Sequence, residues 1–180
     1  MKYSRTFKYY IISSIICIYL VCVISLYFYK PILSIGESMK PTLGEWSILL
    51  VKKHIKQYER FDVVNFKLND NGYVKRIIAL PGEHIAFKND ALFINGDKID
   101  EPHLAAYKEN VYNFVQLTLD FTLEDISGEI VIPEGYYFVM GDNRRYSTDS
   151  RDQTIGFILE ENIVGRVDIL LLPLSDLNVF

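Results

Sequence analysis

Residues 9–29 read YYIISSIICIYLVCVISLYFY, a stretch of 21 residues without a charged side chain. Only Ser13, Ser14 and Ser25 interrupt its apolar and aromatic pattern. A helix of this length, rising about 1.5 Å per residue, extends roughly 31 Å and matches a hydrocarbon core about 30 Å thick. The sequence therefore predicts a transmembrane helix over residues 9–29, on which the placement of the remaining chain depends.

The end of this stretch indicates an anchor rather than a removable secretory signal. A secretory signal typically has an apolar core of about 7–15 residues followed by small residues. This stretch is longer, and it ends in aromatic residues followed by Lys30 and Pro31. Pro31 also prevents the helix from continuing, because proline lacks the backbone N–H that another turn requires.

The distribution of charge predicts the orientation of the helix. Residues 1–30 contain four basic residues and no acidic one, and three of the four precede the apolar stretch. Because cytoplasmic flanks carry the excess of Lys and Arg, residues 1–8 are expected in the cytoplasm and residues 30–180 outside it. Of the 19 basic and 23 acidic residues in the chain, the 150 residues after Lys30 hold 15 and 23. Their net charge of −8 argues against a nucleic-acid partner.

Past the anchor, short apolar segments alternate with turn residues, a pattern typical of β-structure. Candidate strands are Ser47–Val51, Asp62–Phe66, Tyr73–Leu80, His84–Phe87, Ala91–Ile94, Glu129–Ile132, Tyr136–Met140 and Ile163–Leu172. Asn95-Gly96 predicts a hairpin, since both central residues of such a turn need positive φ. Helix is expected only for a turn or two at Leu159–Asn162 and within Pro102–Asn110. The sequence predicts a mainly β domain in which residues 102–128 are an elaboration.

Two common sources of catalytic chemistry are missing from the sequence. Cys17 and Cys22 both lie in the predicted anchor, so the domain contains no thiol, and neither a disulfide framework nor a cysteine-ligated metal is expected. His54, His84 and His103 are each remote from a Gly-x-Ser-x-Gly or Asp-bearing signature. Surface or packing roles are therefore expected for all three, and a Ser-His-Asp triad is not.

Four segments contain the residue types that nucleophilic catalysis uses. They are GESMKPTL at 36–43, RFDVV at 60–64, YVKRIIALPG at 73–82 and GDNRRYSTDSR at 141–151. In the third segment Lys75 shares a strand face with Tyr73 and Ile77, so burial would lower its pKa and make it a base near neutral pH. Taken alone, a strand lysine next to an arginine is more often a solvated edge residue, and the fourth segment is more often a solvated turn.

In this order, the four segments and the anchor resemble the bacterial type I signal peptidases. These are membrane-anchored Ser-Lys endopeptidases that remove signal peptides from exported proteins, and the resemblance covers essentially the whole chain. It implies an antiparallel β domain like that of the signal peptidases and the self-cleaving SOS repressors. It also implies a single-pass protein of the bacterial cell membrane, whose partners are signal peptides and the lipid bilayer, with no nucleic acid, metal or cofactor.

The resemblance assigns a role to each matching residue. Ser38 would be the nucleophile, Lys75 the general base, and Ser147 would hydrogen-bond the Lys75 amine and orient it. The Ser38 backbone N–H would meet the oxyanion of the tetrahedral intermediate. Two ion pairs would support these groups, namely Asp142 with Arg76 and Asp149 with Arg151. An extended substrate with small residues at the first and third positions before the cut would be bound by Gly36, Leu43, Tyr73 and Val74.

Three positions depart from the family pattern. Gly36 stands where many members have a serine that completes the oxyanion hole, and Phe61 stands where the family prefers glycine. The glycine of Arg151–Gly156 comes two residues later than usual.

Two other functions remain open from the sequence. The chain could be a noncatalytic paralogue that binds exported peptides, or a specialised one that serves pilus assembly. Self-cleaving repressors are disfavoured because this N-terminus lacks a DNA-binding module.

Overall fold

A computed structural model describes residues 5–111, 116–172 and 178–179. Parts of the predicted segments lie outside the described residues: 1–4 of the predicted cytoplasmic segment, 112–115 of the elaboration, and 173–177 and 180 of the predicted domain. In chain order the elements are α1 (Arg5–Phe28), β1 (Tyr29–Ser34), β2 (Ser47–Lys52), β3 (Val63–Leu68), β4 (Asn71–Ala79), β5 (Ile85–Lys88), β6 (Ala91–Ile94), β7 (Asp97–Ile99), α2 (Pro102–Val111), β8 (Phe121–Thr122), α3 (Leu123–Ser127), β9 (Tyr136–Met140), β10 (Ile158–Leu159), a 3₁₀ turn (Glu160–Asn162), β11 (Ile163–Leu172) and β12 (Asn178–Val179).

Helix α1 contains the apolar stretch and packs against little else. Its residues 7–28 are long and apolar enough to cross a membrane, with a mean hydropathy of 2.5, and none of that stretch is buried by the rest of the chain. The helix ends at Phe28 and β1 begins at Tyr29, one residue before the predicted boundary. Lys53 fastens this junction, because its backbone N–H and its Nζ donate to two carbonyl oxygens of the last turn at 2.8 and 2.9 Å.

Eight of the described strands form one antiparallel sheet. Its order is β1-β2-β11-β3-β4-β9-β10, with β12 paired to β11. Strand β11, near the end of the chain, therefore lies between β2 and β3, which come from the first half of the domain. Four further described strands form a smaller sheet of order β7-β6-β5-β8. The predicted Asn95-Gly96 turn joins β6 to β7, with φ of 52° and 90°.

Both faces of the C-terminal half of β4 are covered. On one face Ile77 packs with Phe66 and Val139 of the neighbouring strands. On the other face Ile78 packs with residues of the smaller sheet, including Phe87. Burial from Lys75 to Ala79 is therefore continuous rather than alternating. This double cover creates an apolar surrounding in the middle of β4.

The prediction of a mainly β fold is confirmed, and several element assignments need correction. Glu129–Ile132 is not a strand, because only Ile132 exchanges backbone hydrogen bonds, with Gly82 and Glu83. Pro102–Val111 is a full helix rather than a turn or two. Strand β1 was not predicted. The two- and three-residue strands β7, β8, β10 and β12 and the capped helix α3 were not predicted either.

A buried ion pair fastens the elaboration to the loop after β9. The Arg144 side chain is 0% exposed, donates to both carboxylate oxygens of Glu101 and to Thr118 Oγ1, and lies 5.3 Å from the centre of the Phe87 ring. Burial alone would raise the pKa of Glu101, but the charge and hydrogen bonds of Arg144, aided by Lys108, hold it below its ordinary value. Glu101 is thus ionised, and Arg144 is neutralised where it is buried.

We expect Glu101→Gln to lower the free energy of unfolding by about 3 kcal/mol at pH 7, because it leaves the Arg144 charge buried without its partner. Since the folded-state pKa of Glu101 is lowered, its contribution is present above the unfolded pKa of about 4.3 and is lost as pH falls through the folded value. Urea unfolding of the full chain in detergent micelles at pH 7 and pH 3.5 measures both effects. Glu129→Gln, at an exposed acid, is the matched control. Equal stability of the two variants at pH 7 would contradict the assignment.

Candidate active site

Ser38 begins a turn between β1 and β2, and the residues that follow hold this turn in place. Met39 and Leu43 are buried among apolar side chains of β2, β3 and β11. The Leu43 N–H donates to Met39 O at 2.9 Å. Leu43 was predicted to line the substrate cleft, but the structure places it elsewhere: it is 1% exposed and packs in this core. Its contribution to the site is to fix the backbone that carries Ser38.

Lys75 lies on β4, 37 residues after Ser38, and reaches it directly. Lys75 Nζ is 2.6 Å from Ser38 Oγ. The lysine is 4% exposed, and this burial lowers its pKa from the ordinary lysine value. The charges of Asp149 and Asp142 act in the opposite direction, and that of Arg151 adds to the lowering. The geometry therefore combines a hydroxyl with an amine that loses its proton more readily than an exposed lysine does.

Ser147 does not make the hydrogen bond that the resemblance implied. Its Oγ is buried and has no hydrogen-bond partner among the described residues, while the Lys75 amine donates to Ser38 instead. The hydroxyl is nevertheless close to the site. A Cβ on Gly141 would lie 2.2 Å from Ser147 Oγ and 2.4 Å from the Ser38 carbonyl oxygen. Ser147 and Ser38 can approach one another only because residue 141 has no side chain.

Arg76 and Asp142 form a bidentate ion pair beside Lys75. Arg76 Nε and Nη2 donate to the two carboxylate oxygens of Asp142 at 2.9 and 2.6 Å. Thr42 Oγ1 donates to the same carboxylate at 2.5 Å. Burial by itself would raise the pKa of Asp142, but Arg76, with help from His103 and Thr42, holds it below its ordinary value. This ionised carboxylate joins the turn after Ser38 to strand β4.

Asp149 and Arg151 form a second ion pair. It lies within residues 141–151, which we call the polar loop. Arg151 Nε and Nη2 donate to the two oxygens of Asp149 at 2.7 and 2.8 Å. Asp149 also accepts the Gly141 N–H at 2.9 Å, and Arg151 Nη2 donates to Arg144 O at 2.8 Å. The pair therefore ties both ends of the loop together around Ser147.

Asn143 is a site residue to which the sequence analysis gave no role. Its backbone N–H donates to Ser38 O at 3.0 Å, and its Nδ2 donates to Glu37 O at 3.0 Å. Both acceptors are backbone carbonyls 105 or 106 residues away, which no side-chain motif encodes. The only feature of the sequence that pointed to Asn143 was its position in segment 141–151, one of the four segments that contain catalytic residue types. Asn143 positions the backbone of the reactive serine from the opposite side of the site.

A cleft of about 220 Å³ opens in front of Ser38 and Lys75, between β1 and β4. Tyr73 and Val74 of β4 line it, together with Ile32 and Ser34 from β1. Gly36 was predicted to line it but is an exposed turn residue with a φ of 114° and is not among the lining residues. The cleft is thus bounded by consecutive residues of two segments, 32–35 and 72–75.

The histidines lie apart from the reactive pair. None of the three hydrogen-bonds Ser38 or Lys75 within the described chain. His103 is the most buried; burial and the charge of Arg76 lower its pKa to about 4. Its ring lies 5.1 Å from that of Phe61. Phe61 has a φ of 73°, a conformation that glycine adopts without steric cost. No cluster of three potential metal ligands occurs among the residues described.

Comparisons with known proteins match this architecture. A family model described as signal peptidase, peptidase S26, matches residues 7–172. Signal peptidase I U of Bacillus subtilis (strain 168) is 41% identical, over 99% of this chain and 95% of its own length. Signal peptidase I of Bacillus caldolyticus is 46% identical, over 77% of this chain and 76% of its own length. The crystal structure of a signal peptidase I from Enterococcus faecalis V583 matches with a TM-score of 0.59 and 41% identity, covering 63% of this chain and 99% of that one.

These matches agree with one another and with the fold. The family match extends from within α1 to the last residue of β11. The relatives exceed 40% identity over most of the chain, and the solved structure shares the antiparallel β architecture. The chain is a serine peptidase, and it belongs to the signal peptidase family, peptidase S26.

Proposed function

We propose that this enzyme removes signal peptides from exported preproteins at the membrane surface, with Ser38 as the nucleophile and Lys75 as the general base. The observation that carries this proposal is the 2.6 Å contact between Lys75 Nζ and Ser38 Oγ in a buried setting. The substrate class is supported by the relatives, which are signal peptidases I by name.

Lys75 must be neutral to serve as a base. Burial supplies this condition, because removing the ammonium from water favours the uncharged amine. The Ser38 oxygen then attacks the scissile carbonyl while its proton passes to Lys75 Nζ. The resulting ammonium gives the proton to the leaving amine, and a water molecule activated in the same way hydrolyses the acyl-enzyme.

The acids near Lys75 would oppose this role if they were unpaired. Asp142 and Asp149 both act to raise the pKa of the amine. Each is held bidentately by an arginine, Arg76 or Arg151, whose positive charge offsets the effect of the acid. The ion pairs therefore support the structure of the site and limit the stabilisation of the ammonium form.

The Ser38 backbone N–H is suited to bind the developing oxyanion. It donates no hydrogen bond to any other described residue, so it is available to a substrate oxygen. Preorganised donors of this kind typically contribute about 10²–10³ in rate. Gly36 supplies no hydroxyl for a second donor.

The cleft between β1 and β4 suits an extended peptide. Within the described sheet β1 pairs only with β2, so its other edge is open to a substrate backbone. Main-chain pairing with such an edge provides affinity, and alternate side chains enter pockets that set specificity. The small volume of the cleft, with Tyr73 and Val74 in its wall, favours small residues before the cut.

The anchor brings enzyme and substrate to the same surface. In this proposal residues 1–8 lie in the cytoplasm, 9–29 span the membrane, and 30–180 form the extracytoplasmic peptidase domain. A signal peptide is itself held in the bilayer, so tethering both partners raises their effective concentration. The exposed apolar surface of α1 supports this arrangement.

We expect Ser38→Ala and Lys75→Met each to lower kcat for cleavage of a preprotein by about 10³-fold or more, because neither half of the pair works alone. The assay is cleavage by the full chain in detergent micelles, with the cut site read by mass spectrometry. Lys98→Met, at an exposed lysine on β7, is the matched control and should retain activity. Cleavage that persists in either site variant would rule out the Ser-Lys assignment.

The rate of cleavage should rise with pH as Lys75 loses its proton. The active form is the neutral amine, so kcat/KM increases up to tenfold per pH unit below the pKa of Lys75 and levels off above it. Burial places that midpoint below the ordinary lysine value of about 10.4. A profile governed by a midpoint near 6.5 that disappears in a histidine variant would instead identify histidine as the base.

A further inference from the structure

A second cavity, of about 560 Å³, opens beside Ser147 and shares no lining residue with the cleft between β1 and β4. We call it the loop cavity. Its wall includes Leu117, Leu119, Phe121, Ile126 and Arg145. This volume lies within the range of about 300–1,000 Å³ that is typical of ligand sites.

The loop cavity adjoins the reactive serine. Ser147, which lines the cavity, and the carbonyl oxygen of Ser38 both contact the position that a side chain on Gly141 would occupy. The cleft between β1 and β4 reaches the same serine from its own set of residues. Two separate cavities thus lie near Ser38: the cleft, which Ser38 itself lines, and the loop cavity, which Ser147 lines.

The apolar wall of the loop cavity is rigid at its base and exposed at its rim. Phe121 packs its ring 5.3 Å from Phe87 and 6.1 Å from Phe138, so it belongs to the core between the sheets. Leu119, by contrast, is 72% exposed. A smaller cavity of about 210 Å³ shares Ile126 and continues to Phe157. Together they form a groove of mixed apolar and polar lining that leads away from Ser147.

Arg145 supplies the one unpaired positive charge among the described residues of this wall. Arg144 and Arg151 also line the cavity, but each is held by an acid. Arg145 is exposed and forms no ion pair within the described chain. The two acids of the wall accept hydrogen bonds from uncharged donors only, Asp120 from Asn89 and Gln116 and Asp152 from Thr154, and neither forms an ion pair within the described chain. An acidic ligand group is therefore favoured only directly beside Arg145. A carboxylate on a ligand would meet Arg145 without displacing an existing partner.

We propose that the loop cavity binds the mature segment of the preprotein, the residues that follow the scissile bond, and that Arg145 favours an acidic side chain there. This inference rests on the proposed signal-peptide cleavage. An endopeptidase must accommodate chain on both sides of its bond, and the cleft between β1 and β4 accounts for only one. The groove binds the backbone and uncharged side chains of this segment, and Arg145 pairs with an acidic side chain.

The first experiment uses synthetic peptides with Ala at the first and third positions before the bond and with Asp or Lys at each of the first four positions after it. At one of these four positions, we expect kcat/KM of the full-length enzyme in detergent micelles to be three- to fivefold higher for Asp than for Lys, a ratio typical of an exposed ion pair and reduced by salt. Arg145→Glu should reverse the preference. Lys98→Glu introduces the same charge change on β7 and should leave it unchanged.

The second experiment locates the peptide without requiring turnover. Full-length Ser38→Ala is irradiated with a peptide that carries a benzophenone side chain three residues after the bond, and we expect crosslinks to Leu119, Phe121 or Ile126. The same probe three residues before the bond should crosslink near Tyr73 and Val74.

The two hypotheses fail in different ways. If the unmodified enzyme cleaves none of the peptides, the proposed function is overturned. If it cleaves them with equal rates for Asp and Lys, or if Arg145→Glu keeps the original preference, the role of Arg145 is overturned. Crosslinks from the probe after the bond that fall outside the loop cavity overturn the binding site while leaving the proposed cleavage intact.

Discussion

The contact between the Lys75 amine and the Ser38 hydroxyl depends on a buried strand, because burial disfavours the charged form of an amine and lowers its pKa. A single sheet shields a strand residue on one face. The smaller sheet packs against the other face of β4, so that burial is continuous from Lys75 to Ala79. The smaller sheet covers the face that bears Ile78, and Lys75 lies on the opposite face with Ile77, so the second sheet completes the burial of the strand that carries the lysine.

The same constraint explains how the surrounding charges are arranged. Carboxylates near a buried amine stabilise its protonated form, and two lie close enough to do so. Each is held by two hydrogen bonds from one guanidinium, a planar geometry that lysine could not supply. A third buried pair, Arg144 with Glu101, connects this network to the elaboration. The paired charges of Asp142, Arg144, Asp149 and Arg151 therefore hold residues 141–151 in place.

Sequence patterns predicted the residues with local signatures and missed those defined by distant partners. The apolar helix, the strand around Lys75 and the Asn95-Gly96 turn follow from composition and period alone. Strand β1 was missed because Pro31 and the adjacent anchor obscure a pattern that is completed only by pairing with β2. Asn143 and Glu101 depend on partners more than 40 residues away. The expected hydrogen bond between Ser147 and Lys75 is not among the contacts of the described residues, where Lys75 contacts Ser38 and the buried Ser147 Oγ has no partner.

The absence of a linker between α1 and β1 has a mechanical consequence. Strand pairing begins at the residue after the helix ends, and Ser38 follows only nine residues later. At about 3.3 Å per residue, that tether extends at most roughly 30 Å, and most of it is stiffened by β2. With the helix in a bilayer, this short connection would hold Ser38 within a fixed distance of the lipid headgroups. Only peptide bonds at that distance from the membrane surface would then reach it.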